Sequence, residues 1–278
     1  MQEPTPPDDP ERLRAAQAAA YEAEDLGRYF ALSRRLADAS PAYARSYEWW
    51  VQAVLHALAR REPFFLQVGG MDGKRFDPIF AFVRHYGWRG IALEPLADLF
   101  ADLSRNYAGS AGVTLVNAAL ADQNGERSML RVRREAVRDG AVPAWAEGLA
   151  SFHPERNALG GVGVSAELRE TLLANARAEA VACVTLRTLA ERHDLPRIDL
   201  LQVDAEGCEL EILRQVEASA YRPAVIRLEP WVLPLRERGE LLGILGRQDY
   251  LARMGESDVL ALQPDLYAAV SAEAGFPC

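Results

Sequence analysis

Residues 64–95 read FFLQVGGMDGKRFDPIFAFVRHYGWRGIALEP. The apolar run Phe64 to Val68 ends in Gly69-Gly70, the pattern of a buried strand running into a tight loop. Asp77 and Pro78 suit an N-cap and a first helical position. Ile79, Phe82, Val83 and Tyr86 then recur at helical spacing, and Gly87 ends the helix. Trp88 to Glu94 reads as a second strand. A strand, a helix and a second strand within about thirty residues is the unit of a parallel sheet.

The rhythm continues outward. Leu96, Leu99, Phe100 and Leu103 predict a helix, and 113–117 a third strand. Residues 128–133 alternate apolar and polar like a half-exposed strand. Residues 134–180 break the pattern with charged and Gly-rich sequence plus a helix near 166–179. That is too long for an ordinary connection, so it is read as a lid-like insertion. Strands at 198–204 and 224–229, helices at 209–216 and 235–248, and a closing hairpin of 250–254 with 259–262 complete the domain. The expected fold is α/β: a Rossmann-like, doubly wound, mostly parallel sheet with an antiparallel closing hairpin. Before it, residues 11–61 carry only helical periodicity. Tyr47, Trp50, Val51, Val54, Leu55 and Leu58 form the strongest stripe. The expected division is a disordered tail at 1–10, a helical appendage at 11–61, and the sheet domain at 62–278.

Sheets of this kind bind ligands beyond the carboxyl ends of their strands. The positions so selected are Gly69–Gly73, Glu94, Asn117–Asp122 and Asp204–Glu206. Glycines between strand and helix let the backbone pass close to a ligand. Here they fall at 69, 70 and 73, which is not the GxGxxG spacing of a dinucleotide fingerprint. Glu94 ends the second strand 21 residues after Gly73, where a carboxylate can accept from both ribose hydroxyls of an adenosine.

The same stretch, with VNAALADQNGE (116–126), GLASF (148–152), VTLRTLAERHDLPRIDLLQVDAEGCELEIL (184–213) and PAVIRLEP (223–230), resembles the FkbM family of S-adenosylmethionine-dependent methyltransferases. The resemblance spans about 64–262 and excludes the N-terminal helices. It implies the class I methyltransferase fold and S-adenosyl-L-methionine as cofactor. It implies methyl transfer, usually to oxygen, on sugars, glycans or secondary metabolites. The cofactor-binding residues it implies are Gln67, Gly69, Gly70, Asp72 and Gly73 in the first loop, and Glu94 at the ribose. Asn117 and Ala118 fall near the adenine, and Asp204 near the methionine part. Gln67 departs from the acid that such enzymes often carry there; an amide cannot neutralise the sulfonium or the amino group.

Because a sulfonium is already activated, the protein must mainly align a hydroxyl with the methyl carbon and take its proton. Asp204, His153 and Glu229 are the candidate catalytic residues. Asp204 and Glu229 end strands at the catalytic edge. His153 sits in the insertion and titrates near neutrality. His193 ends a helix and is read as structural, while His56 and His85 are read as helix-surface residues. Asp204, Glu206, Glu209 and Glu229 are of the kind that hard cations take. Glu209, however, lies in a helix first turn, where an acid is stabilising anyway, and no metal is assigned.

Composition bounds the rest. The chain has 278 residues with a formal net charge of −9, which disfavours a nucleic-acid partner. Cys183, Cys208 and Cys278 match neither a zinc motif nor a disulfide framework and point to a reducing cytoplasm. The acidic, proline-rich start lacks the form of a secretory signal, and no apolar run is long enough for a membrane span. The expected partner is a small-molecule or glycan acceptor, with the N-terminal helices a candidate homo-oligomer contact. The rival readings are a nucleotide-cofactor (NAD-type) oxidoreductase and a non-catalytic binding module.

Overall fold

The protein is described by a computed structural model covering residues 9–274. The expected tail at 1–10 therefore lies almost wholly outside the described residues, as does Cys278. Pro10 already belongs to the first helix.

In chain order the helical start comprises α1 (Pro10–Glu22), α2 (Leu26–Ala39), α3 (Pro41–Ala44) and α4 (Tyr47–Ala59). Then come β1 (Phe64–Val68), α5 (Phe80–Tyr86), β2 (Arg89–Leu93), α6 (Ala97–Asn106), β3 (Val113–Val116), β4 (Ala119–Leu120) and β5 (Gly125–Val132). The insertion holds α7 (Arg134–Arg138), β6 (Ala150–Ser151) and α8 (Ala166–Ala174), and leads into β7 (Ala176–Val184). The chain closes with α9 (Leu186–His193), β8 (Leu200–Val203), α10 (Glu209–Glu217), β9 (Val225–Leu228), α11 (Leu235–Arg247), β10 (Leu251–Met254), β11 (Val259–Leu262) and α12 (Pro264–Ala274).

Two compact units result. The first takes the residues up to 63 together with 76–89 and those from 265. Its helices start where the sequence supplies caps. Asp9 accepts from the Glu11 amide ahead of Pro10, and the Ser46 hydroxyl accepts from the Trp49 amide at 3.1 Å. The stripe on α4 is buried: Trp50, Val54 and Leu58 have no exposed surface. His56 is not a surface residue as expected. Its ring packs 4.8 Å from Phe30 and 4.9 Å from Phe82, and Nδ1 lies 3.0 Å from the Tyr86 hydroxyl. Burial pushes its pKa down to about 4, so it is neutral at pH 7. Asp77 accepts from the Ile79 amide at 2.8 Å, so the helix there begins at Phe80, later than expected. Gly87 ends α5 in the left-handed conformation.

The second unit holds two sheets. The larger runs β10-β11-β9-β8-β1-β2-β3. β8 pairs parallel with both β1 and β9, and β2 parallel with β3, while β11 runs antiparallel between β9 and β10. This is the expected doubly wound sheet with its antiparallel closing hairpin. The central strands β8, β9 and β11 are buried almost throughout, as strands covered on both faces must be. The smaller sheet, β4-β7-β5-β6, was not anticipated. Its long pairing of β5 with β7 brackets the insertion. Residues 176–179, read as part of a helix, are strand because they pair with β5. No helix among the described residues is long and apolar enough to cross a membrane.

The two sheet edges that matter meet at Gly69. It adopts φ +80°, and a Cβ built there would lie 1.8 Å from the Asp204 carbonyl oxygen. Gly69→Val therefore acts first through the backbone of the loop after β8, before any ligand is bound. Positive φ strain and overpacking together should cost about 2–5 kcal/mol. Urea unfolding should show a midpoint well below wild type, and an unchanged midpoint would refute this packing.

Candidate active site

Two short loops build the site. After β1 the amides of Gly69 and Gly70 both donate to the Leu93 carbonyl, at 3.1 and 2.8 Å, stitching the glycine loop to the end of β2. The next residue after β2, Glu94, is buried. Its Oε2 accepts from the Met71 amide and its Oε1 from the Leu96 amide, both at 2.9 Å. Each carboxylate oxygen retains a second lone pair for a ligand hydroxyl. On the other side, the Asp204 amide donates to the Val68 carbonyl at 2.9 Å, placing the loop after β8 beside the glycine loop.

These loops line one slot. Glu94 stands at one side, with Asp204 and Glu206 at the other. Pro95, Leu96 and residues 118–120 supply an apolar wall. Gly148, Ala150 and Phe152 of the insertion cover it. The open space is about 50 Å³, room for only one or two waters.

Of the residues singled out in the sequence, Gly69, Glu94, Ala118 and Asp204 line this slot. Five others do not. Gln67 is buried in the sheet, in register with Gln202. Gly70 lies against Leu103 and the Leu93 carbonyl. Asp72 is consumed by the loop itself: Oδ1 accepts from the amides of Lys74 and Arg75, Oδ2 from Arg75 Nε. Gly73, at φ +72°, has Leu103 and Tyr107 where a side chain would go. Asn117 is exposed, and its amide donates to the carbonyls of Glu94 and Pro95 at 2.8 and 3.0 Å. It shapes the loop behind Glu94.

The candidate bases separate. His153 lines a different cavity, with Arg156, Glu211 and Arg214. Its ring lies with Cys208 and Glu211, ligand atoms within 4.8 Å of one another. Burial, and then Glu211 and Glu209, push the Cys208 thiol up to about 12, with Arg127 and Arg156 opposing. Glu229 does not line the slot but interacts electrostatically with Asp204. Asp204 is open to solvent although protein surrounds its carboxyl, as at a concave mouth.

Glu206, selected in the sequence together with Asp204, also lines the slot. It holds φ +50°, and its Oε2 accepts from Asn157 of the insertion at 3.0 Å. Glu209 has no exposed surface; it accepts from the amides of Ala205 and Gly207 and so ties down the same loop. The DAEG stretch carried the acids in sequence, but nothing local revealed which one would face the slot.

Crowding the carboxyls raises their pKa values. Burial pushes Glu94 up to about 8, against the pull of its two amides. Burial, then neighbouring carboxylates, lifts Glu229 to about 7, and burial also lifts Glu209 to about 7. Burial raises Asp204, with Arg227 opposing; burial and then Asp204 raise Glu206 strongly.

The fold is a doubly wound α/β sheet with a glycine loop after β1, an acid after β2 and acids after β8 lining one slot. The FkbM methyltransferase domain matches residues 67–240, more than half of the chain. The chain belongs to the FkbM methyltransferase domain family. Among solved structures it is similar to methyltransferase FkbM from Methylobacillus flagellatus KT, with TM-score 0.43 and 12% identity over 90% of this chain and 59% of that one. It is also similar to precorrin-6y C5,15-methyltransferase from Geobacter metallireducens GS-15, with TM-score 0.36 and 14% identity over 76% of this chain and 83% of that one. The chain thus spans about three fifths of the Methylobacillus protein's length. No curated protein matches.

The raised carboxyls set a direction for stability. Glu94, Glu209 and Glu229 keep protons in the folded state that an unfolded chain loses near pH 4.5. Their stabilising share is fully present below that pH and is lost as pH rises through about 7–8. The ligand-free protein should be about 3–5 kcal/mol less stable at pH 8.5 than at pH 6 from this linkage. Urea unfolding at the two pH values measures it, and Glu94→Gln should flatten the slope.

Proposed function

We propose that this chain is an S-adenosylmethionine-dependent O-methyltransferase that modifies a hydroxyl on a small-molecule or glycan acceptor. The observation carrying the reading is that Glu94 and Asp204, from two different strand ends, face one slot with an apolar wall. The donor set fits the cofactor. Glu94 retains acceptor capacity for two ribose hydroxyls. Pro95, Leu96 and Ala118 offer an apolar face for an adenine. Asp204 and Glu206 give the acidic surroundings that a sulfonium favours.

When bound, the cofactor supplies an activated methyl group. The protein's own residues orient it, exclude water and receive the acceptor's proton. Asp204 anchors the charged end, with Glu229 tuning its charge. His153 lines a neighbouring cavity rather than the slot and is the weakest of the three for a direct role.

The slot is too narrow for a nucleoside while Gly148–Phe152 lies over it. Entry requires this wall to move, as a lid would. Hydrogen exchange of residues 146–160 should slow on adding S-adenosylhomocysteine, and exchange unaffected by ligand would remove the lid from the reading.

Calorimetry with S-adenosylhomocysteine and NAD separates the reading from its rivals. Binding of the first and not the second supports it; NAD alone supports an oxidoreductase, and neither supports a binding module. Glu94→Ala should weaken S-adenosylhomocysteine binding about 10- to 150-fold through lost charge-assisted hydrogen bonds. Only ionised Glu94 accepts from both hydroxyls without hindrance, so wild-type affinity should rise between pH 6 and 8, and Glu94→Gln should lose that rise.

A further inference from the structure

The insertion does more than cover the slot. Three of its side chains grip the loop between β8 and α10. The Ser151 hydroxyl donates to the Glu206 carbonyl. Asn157 Nδ2 donates to Glu206 Oε2 at 3.0 Å, and Arg156 Nη1 to the Gly207 carbonyl at 2.7 Å. From the other side Glu209 accepts the amides of Ala205 and Gly207.

Glu206 sits in left-handed backbone, at φ +50°, which is costly for a side chain with a Cβ and persists only where surroundings over-determine it. The result is a glutamate aimed at the slot with one oxygen held by Asn157. No other hydrogen bond from the described residues reaches its carboxyl. The other acids are committed differently. Glu94 serves two amides and Glu209 the loop amides, while Glu229 lies outside the slot.

We propose that Asn157 is a positioning residue that holds the Glu206 carboxylate in the slot as the group taking the acceptor's proton. This rests on the methyltransferase reading above. In the step implied, the acceptor oxygen bonds to the methyl carbon, the carbon–sulfur electron pair leaves with sulfur as a neutral thioether, and the hydroxyl proton passes to Glu206. Asn157 and Ser151 belong to the segment that covers the slot, so closing the slot and setting the base are one event.

The groups facing Glu206 are Asp204 on its own loop, Glu209 on α10, Glu229 at the end of β9, and Asn157 with Arg156 on the insertion. Arg227 and Asp258 act on it only through Asp204. The three acids favour its protonated form, and the Asn157 donor favours the ionised form. Asn157 also accepts from the Leu159 amide at 3.0 Å. Asn157→Asp keeps that cap but replaces the donor facing Glu206 with a carboxylate.

The test is carbon-13 NMR on protein labelled at the glutamate side-chain carboxyls and saturated with S-adenosylhomocysteine. The resonance missing from Glu206→Gln identifies Glu206. In wild type it should titrate above the ordinary glutamate range. In Asn157→Asp its midpoint should rise by about one pH unit or more. Ser151→Ala, which leaves Asn157 in place, should broaden or move the same resonance. S-adenosylhomocysteine affinity should change less than about threefold in both variants. An ordinary glutamate midpoint, or one indifferent to Asn157→Asp, overturns the proposal. Absence of S-adenosylhomocysteine binding in wild type overturns the methyltransferase reading instead.

Discussion

The second unit is organised around one backbone crossing. The Asp204 amide donates to the Val68 carbonyl, and Gly69 turns so tightly against the Asp204 carbonyl that no Cβ fits between them. This brings the ends of β1 and β8 together at the middle of the sheet. Because the amides of Gly69 and Gly70 also reach Leu93, the end of β2 joins the same knot. Three strand ends are thereby fixed within one small region, and the acids that follow them, Glu94, Asp204 and Glu206, face a shared slot. Backbone hydrogen bonds cannot be rearranged cheaply once buried, so the carboxyl positions are inherited from the crossing.

Crowding carboxyls in this way carries an electrostatic penalty. The structure meets it in two ways. Backbone amides and the Asn157 side chain donate to the acids, while burial and mutual repulsion raise their pKa values so that not all need be charged together. Away from the slot the same unit uses ordinary pairing. Arg75 and Arg134 flank Glu147, and Arg227 pairs with Asp258 at 2.7 Å. The slot acids Glu94, Asp204 and Glu206, by contrast, make no direct ion pair among the described residues.

The insertion shows how little of a function can be read from an irregular segment. Its length and glycines marked it as a lid. Its edges proved to be paired strands, and its polar residues hold the loop after β8. Asn157 is unremarkable in sequence: one asparagine among charged and small residues. It matters because β5 and β7 pair along their length and return the segment to the β8 end, a long-range pairing that no local pattern encodes.

Much of the fold was legible in the residues alone. Buried parallel strands are short continuous apolar runs ending in glycine or acid, and amphipathic helices carry their own period and caps; both signals are local. That is why the large sheet, its closing hairpin and the position of Glu94 could be read from the chain. Register and direction of side chains are not local. Gln67 and Val68 are adjacent in sequence, yet alternation along a strand leaves only Val68 on the slot. Asp72 and Gly73 sit in a ligand-like loop, yet their contacts turn inward to Arg75, Leu103 and Tyr107. Glu206 lines the slot and His153 a different cavity, because a histidine's intrinsic pKa says nothing about where packing puts it. The sequence by itself determined the strand-and-helix alternation and the kinds of group at the strand ends. Which of those groups share a slot was decided by tertiary structure, since only packing brings residues 94, 204 and 206 to line one cavity.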